Sequence, residues 1–258
     1  MNIGPESLQL LREAHSLGAS DLLLVTGAAP SVYIHAELKP LGGEPLSGAR
    51  ARELILQLME PGLRERLETK RDVDFSLGHP DFGRCRVNVH FQRNSVAAAI
   101  RFVSAAIPDF AELNLPESMR DFASYPRGLV LITGGTGSGK STTLAAIINQ
   151  INHATAAHII TLEDPIEYVF KNVRSVIEQR EIGFDTPSFV DALRHIVRQK
   201  PDVIMVGEMR DLETIRTAIT AAETGHLVLA SLHTINAAQT VERIVDVFDP
   251  RQQPQIRI

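Results

Sequence analysis

Cysteine, tryptophan and long apolar runs are what this chain has least of. Its 258 residues include one cysteine, Cys85, no tryptophan and 5% aromatics. A single thiol excludes a disulfide framework and a cysteine-built zinc site, and it suits a reducing compartment. No apolar stretch approaches the roughly 20 residues of a membrane span. The opening Met1-Asn2-Ile3-Gly4-Pro5-Glu6 lacks the basic region and apolar core of an export signal. The expectation is a cytoplasmic protein with no direct membrane insertion. A net charge of −5 and a pI of 6.0 give no bulk attraction to nucleic acid. No strip of interleaved aromatic and basic residues marks a single-strand track either. There is no internal repeat or low-complexity tract. What is present, 44% hydrophobic and 22% charged residues, describes a globular protein with room for two domains and a substantial core.

Against that background one stretch stands out: Gly134-Gly135-Thr136-Gly137-Ser138-Gly139-Lys140-Ser141. It fits the phosphate-loop pattern G-x-x-x-x-G-K-[ST] in the context that gives the pattern meaning. Before it, residues 129–133 form an apolar run that predicts a buried strand; after it, Leu144, Ile147, Ile148 and Ile151 recur at helical spacing. Glycines let successive backbone N–H groups turn onto phosphate oxygens, and the helix adds its positive N-terminal end. The residues from Gly134 to Ser141, with Thr142 at the helix start, are the expected nucleotide cradle. Lys140 is expected to bridge the β- and γ-phosphates of ATP, and the Ser141 hydroxyl to hold Mg²⁺.

The rest of the chain falls into two rhythms. Residues 1–104 mix helices and strands without βαβ alternation, which predicts a small α+β domain. Residues 105–115 loosen around Ile107-Pro108-Asp109 and Leu115-Pro116 and are expected to be a linker. From 116 to 258 strands and helices alternate, with strands expected at 158–162, 203–206 and 227–232 and helices at 188–199, 212–223 and 237–247. That alternation predicts an α/β domain, a parallel sheet with helices on both faces.

Several polar residues fall where such a sheet would use them. Glu208 follows the strand at 203–206, which is expected beside the strand that leads into the phosphate loop. There it could orient or deprotonate the attacking water, or hold a metal-bound water. Gly207 stands where a Walker B motif commonly has Asp, so Mg²⁺ is left to Ser141, phosphates and waters, with Glu208 reaching it through water. The plainer role for Glu208 is to favour the N-terminus of the helix beginning near Asp211. Glu163, in Glu163-Asp164-Pro165-Ile166-Glu167, ends another strand. It is either a site acid or part of a solvated acidic turn. His226 and His233 bracket the strand at 227–232 and cannot share one metal. His233, at the carboxyl end, could reach a γ-phosphate or an interface.

A hairpin carries the remaining clue. Residues 84–91 alternate, Arg93-Asn94 can turn, and 96–103 return, so Phe91 should face Val96 and Arg86 should face Arg101. Opposed like charges cost about 0.2–1 kcal/mol unless an anion sits between them. Either a neighbouring subunit's γ-phosphate answers the two arginines, as an arginine finger does, or an acid such as Asp72 or Asp74 relieves them.

At these residues the chain resembles the secretion-ATPase superfamily, most closely the retraction ATPases of type IV pili. The resemblance runs through Gly18-Ala19-Ser20-Asp21-Leu22, Pro126-Arg127-Gly128-Leu129-Val130, Leu162-Glu163-Asp164-Pro165-Ile166-Glu167 and Val206-Gly207-Glu208-Met209-Arg210-Asp211. It continues through Thr224-Gly225-His226-Leu227 to Leu232-His233-Thr234. It implies a PAS-like N-terminal domain, a RecA-like P-loop ATPase domain and a homohexamer with nucleotide between domains. It implies Glu163 and Glu208 as catalytic acids, His233 on the phosphate side, and Arg86 and Arg101 as arginines reaching a nucleotide. Gly207 is normal for the family. Two departures stand out: Leu23 replaces the family's usual His, and family members continue for about another hundred residues, a domain-scale length.

The function this implies is an ATP-hydrolysing motor for pilus retraction and twitching motility. It would act at the inner face of the cytoplasmic membrane through a platform protein and a paralogous pilus ATPase. The alternatives are an accessory nucleotide switch with poor turnover, and an extension or type II secretion ATPase. A nucleic-acid translocase is disfavoured by the acidic pI.

Overall fold

The structure is a computed structural model that describes residues 3–103 and 106–256; Ala105, the first position of the expected linker, lies outside the described residues. The chain divides into two compact units, Met1–Ala105 and Ala106–Ile258.

The first unit begins with α1 (Pro5–Ser16), with proline in its first turn and Leu11 and Ala14 buried. Strands β1 (Asp21–Leu24), β2 (Ser31–Ile34) and β3 (Glu37–Pro40) follow. Helix α2 (Gly48–Leu56) starts at Ser47, whose hydroxyl accepts from Arg50 N at 3.2 Å. Then come α3 (Pro61–Lys70), β4 (Asp72–His79), β5 (Gly83–Gln92) and β6 (Ser95–Phe102). The strands form an antiparallel sheet in the order β3-β2-β1-β6-β5-β4. Strand β3 has no buried residue, so no apolar alternation betrays it in the sequence. Its Lys39 and Pro40 blunt the sheet edge.

The β5–β6 hairpin has the anticipated register. Arg93 and Asn94 both have positive φ (46° and 60°), as a two-residue primed turn requires. Phe91 pairs with Val96 and Arg86 with Arg101. Alternation sends Cys85, Val87, Val89, Ala98 and Ile100 into the core. The acid that answers Arg101 is Asp21 rather than Asp72 or Asp74, the candidates that sequence suggested. Strand β1, not β4, borders β6, and it places Asp21 opposite Arg101, with Oδ1 2.8 Å from Nε. Asp72 and Asp74 instead accept from Asn88 Nδ2 at 2.8 and 3.0 Å.

The second unit contains a 3₁₀ segment (Glu117–Ser124), β7 (Gly128–Thr133), α4 (Lys140–Ala154), β8 (His158–Glu163) and β9 (Val176–Glu181). These lead to α5 (Phe189–Ile196), β10 (Val203–Val206), α6 (Leu212–Glu223), β11 (Leu227–Leu232), α7 (Ala237–Asp246) and a last turn, α8 (Gln253–Ile256). Its sheet is wholly parallel in the order β7-β11-β10-β8-β9. That order corrects one expectation: β10, which leads to Glu208, is not beside β7, because β11 lies between them.

Alternate residues of these strands feed two cores. Val130, Ile159, Met205 and Leu229 pack with Leu144, Ile147, Ile148 and Ile151 of α4. Ile160, Ile204, Val206, Val228 and Ala230 pack with α5, α6 and α7. The sheet is therefore covered on both faces, as its rhythm suggested. Within the segment expected to be a linker, Phe110 is buried, and Leu113 and Leu115 pack on the α4-side core. Burying a side chain as fully as Phe110 contributes about 1.5–3 kcal/mol, so this stretch is held down rather than slack.

Candidate nucleotide-binding site

In a parallel sheet every strand ends at the same edge, and here the ends of β8, β10 and β11 and the loop after β7 line one cavity of about 360 Å³. Lys140 and Ser141 reach it from the start of α4, Glu163 from the end of β8, Glu208 from the end of β10 and His233 from the end of β11. Residues far apart in sequence are thus brought to one cavity. His226 lies at the opposite end of β11, where Nδ1 is 2.9 Å from Ala221 O.

The phosphate loop has the backbone its glycines allow. At Gly134 φ is 156°, and a Cβ there would lie 2.5 Å from Ser138 Oγ, so a side chain would strain the backbone and displace that hydroxyl. Gly139, the N-cap of α4, has φ 90° and provides no side-chain cap. The first N–H groups of a 15-residue helix are thereby left for an anion. Lys140 Nζ donates to Gly134 O at 3.0 Å and Gly135 O at 2.8 Å and lies 3.4 Å from His233 Nδ1. The loop, the helix end and the ammonium together fit a polyphosphate.

Beyond Lys140 runs a chain of charged contacts. Nδ1 of His233 faces that ammonium, which can only donate, and its other ring nitrogen is Nε2. That nitrogen lies 2.9 Å from Glu208 Oε1, and Arg210 Nη2 lies 2.8 Å from Glu208 Oε2. The Arg210 guanidinium holds the Glu208 carboxyl below the usual carboxylate range, against an opposing effect of partial burial, and His233 adds to the lowering. Glu208 is an anion at neutral pH.

Glu163 is the reverse case. It is buried, and burial pushes its pKa up, while three donors partly offset that effect. Thr161 Oγ1 donates to Oε1 at 2.7 Å, Gln179 Nε2 to Oε1 at 3.0 Å, and Glu167 N to Oε2 at 3.4 Å. The solvated acidic turn considered for this segment applies to exposed Asp164 and Glu167, not to Glu163. Two carboxyl groups in one cavity have thus been driven in opposite directions, the arrangement by which a site divides proton transfer from charge stabilisation.

Gly207 explains the missing Walker B aspartate. A Cβ on it would lie 3.1 Å from Leu162 O and 3.4 Å from Glu163 Cα. Its own N–H donates to Leu162 O at 2.8 Å. Adjacent strand tips approach so closely that a side chain there would have to push backbone atoms of β8 aside. Among the described residues no cluster of three His, Cys, Asp or Glu could hold a metal. Ser141, with Glu208 across the same cavity, is the donor set suited to a Mg²⁺ that keeps most of its water and phosphate ligands.

Sequence reasoning missed Gln179, Tyr168 and the role of Arg210. Tyr168 OH lies 3.1 Å from Thr142 Oγ1 and ties the loop after β8 to the first turn of α4. Strand β9 escaped because Glu178, Gln179, Arg180 and Glu181 show no apolar alternation. Its signal was the polar Gln179 itself, which faces another polar strand residue, Thr161.

A parallel sheet with a phosphate loop and a carboxylate-lined edge defines a P-loop nucleotide-binding domain. Residues 88–252 match the family model described as Type II/IV secretion system protein, and the chain belongs to that family. Among relatives it is 43% identical over 249 residues to the "Type IV pilus retractation ATPase PilT" of Pseudomonas aeruginosa, covering 96% of this chain and 72% of that one. It is 42% identical to the "Type IV pilus ATPase PilU" of the same organism, covering 96% of this chain and 65% of that one. A solved structure, "Crystal Structure of the Pilus Retraction Motor PilT and Bound ADP", matches with TM-score 0.92 and 51% identity over 97% of this chain and 73% of that one. The resemblance seen in the motifs to pilus retraction ATPases is thereby borne out. The chain spans about two thirds to three quarters of the length of these relatives.

Proposed function

We propose that the chain is an ATP-hydrolysing motor subunit for type IV pilus retraction, working as a homohexamer. The observation that carries the proposal is the cavity on which the phosphate loop and the carboxyl groups of Glu163 and Glu208 open together; burial raises the first carboxyl and Arg210 lowers the second. In this reading Gly134 to Thr142 bind the triphosphate and Lys140 bridges its β- and γ-phosphates. Ser141, with Glu208 through water, would hold Mg²⁺, which would supply charge neutralisation at the phosphate oxygens. Glu163, whose burial raises its affinity for a proton, takes the proton of the attacking water. Glu208 stays ionised and orients His233 toward the γ-phosphate side. Arg86 and Arg101 act in trans on a neighbouring copy's nucleotide, which requires Arg101 to exchange Asp21 for phosphate. The first unit is PAS-like and the second RecA-like, and residues 105–115 join them. Among the described residues no helix is long and apolar enough to cross a membrane. The motor meets the inner face of the cytoplasmic membrane through a platform protein.

Identity of 42% to PilU, beside 43% to PilT, supports a second reading: a paralogous pilus ATPase acting beside a retraction motor. Steady-state hydrolysis, together with native mass with and without an ATP analogue, tests both. Turnover that is lost in Glu208→Gln, in a species that assembles with the analogue, supports the motor. Binding without turnover supports the accessory subunit, and a chain monomeric under both conditions removes the arginines' role in trans.

A further inference from the structure

Gln179 has every polar group of its side-chain amide committed around Glu163. Nε2 donates to Glu163 Oε1 at 3.0 Å and to Tyr168 O at 2.8 Å, and Oε1 accepts from Phe170 N at 2.9 Å. One side chain on β9 therefore grips the acid at the end of β8 and two backbone positions of the loop that follows it. The grip continues to the phosphate loop, because Tyr168 OH meets Thr142 Oγ1, one residue after Ser141. The far end of the same connection is held by buried Asn152, which donates from Nδ2 to Lys171 O at 2.7 Å and accepts from Val173 N at 3.1 Å.

The register shows why Gln179 can do this. Thr161 and Gln179 are directly paired in the β8–β9 ladder, and Glu163 lies two residues on from Thr161, on the same face. Thr161 and Gln179 thus approach one carboxylate oxygen from neighbouring strands. A simple scaffolding role would need only the two loop contacts; the third bond, to the carboxylate, is the informative one.

We infer that Gln179 is a positioning residue for hydrolysis: its amide fixes the Glu163 carboxylate and, through Tyr168, couples that acid to the start of the phosphate-loop helix. The inference rests on the assignment of Glu163 as proton acceptor. Hydrogen bonds to a carboxylate favour its ionised form, so Gln179 also helps determine when Glu163 can take a proton. The charged groups around Glu163 are Glu167 from the following loop, buried Glu181 directly beside it in the β8–β9 ladder, and Lys140, Asp164, Glu208, Arg210 and His233, which line the same cavity. Replacing Gln179 leaves all of them in place.

Opposite-charge substitutions test this. Gln179→Glu keeps the acceptor for Phe170 N but sets a second carboxylate against Glu163, whereas Gln179→Lys supplies a cationic donor. The Glu163 carboxyl is followed by ¹³C NMR in the nucleotide-free chain, its resonance assigned by loss in Glu163→Gln. Hydrolysis and ATP-analogue affinity are measured alongside. The titration midpoint should rise in Gln179→Glu and fall in Gln179→Lys, by about one pH unit or more, a tenfold change in proton affinity. Hydrolysis should fall in both, and analogue affinity should stay within about twofold because the phosphate loop supplies it. Midpoints that stay put or move in the same direction overturn the inference, as does undiminished hydrolysis. Should the charged variants not fold, Gln179→Met keeps the length without polar atoms. It should raise the midpoint and slow hydrolysis, and an unchanged midpoint again overturns the idea. Wild-type hydrolysis in Glu163→Gln would instead defeat the assignment of Glu163, whatever Gln179 does to its titration.

Discussion

Gly207→Ala is the substitution whose effect the structure specifies most closely. Two opposing contributions decide its sign. Gly207 is not in the left-handed region, so alanine removes freedom from the unfolded chain and stabilises by about 0.4–1 kcal/mol. The new methyl, however, would stand 3.1 Å from Leu162 O and 3.4 Å from Glu163 Cα. Both neighbours are backbone atoms of β8, which pairs with β10 and β9 on its two sides. Gly207 is itself held by its N–H bond to Leu162 O and by the Ser231 hydroxyl, which donates to Gly207 O. Neither side can yield cheaply, and overpacking of this kind costs about 1–3 kcal/mol. Strain wins. In a unit of this size each kcal/mol lowers Tm by about 2–4 °C, which thermal unfolding followed by circular dichroism resolves. Because the same push displaces Glu163, hydrolysis should fall further than nucleotide affinity, and Gly207→Asp, which restores the generic motif, should do worse. A Gly207→Ala protein that melts at or above the wild-type temperature and hydrolyses ATP normally would refute the close-approach argument.

Other outcomes follow from single residues. Lys140→Ala removes a cationic donor worth about 1.5–3 kcal/mol to a charged partner, so calorimetry should show ATP binding weakened about 10- to 100-fold; unchanged affinity would mean the loop does not hold the phosphates. Burial raises the Glu163 pKa in the folded chain above the unfolded value near 4.3. Its contribution to stability is complete below that value and is lost as pH rises through the folded one. Glu163→Gln should therefore gain Tm relative to wild type as pH rises, and a difference that stays flat with pH rejects the raised pKa. Cys85 is buried, and burial pushes its thiol up to about 12, so a thiol reagent should label it only after unfolding; rapid native labelling would contradict the packing of β5.

The parts legible in advance were those with local encoding. The phosphate loop needs its glycines, lysine and serine in fixed order along one turn, so the residues themselves announce the backbone. The β5–β6 hairpin was equally readable. Arg93-Asn94 can take positive φ, and once the turn has two residues the period of two determines every pair from Phe91–Val96 to Arg86–Arg101. Capped, periodic helices such as α6, with Asp211 at its N-cap, were visible for the same reason.

Only the tertiary structure decided which strands became neighbours. Nothing within 203–206 says that β11 separates it from β7, because parallel strands buried on both faces carry similar apolar runs and order is chosen by the packing of whole helices. Likewise Asp21 met Arg101 through the β1–β6 pairing, some eighty residues apart in the chain. Gln179 and Glu163 acquired their relation from a strand whose polar face hid it from any hydrophobic pattern. Nucleotide chemistry was thus written in a few contiguous residues, while the opposite shifts of Glu163 and Glu208 arose from burial and long-range partners, which a linear pattern does not carry.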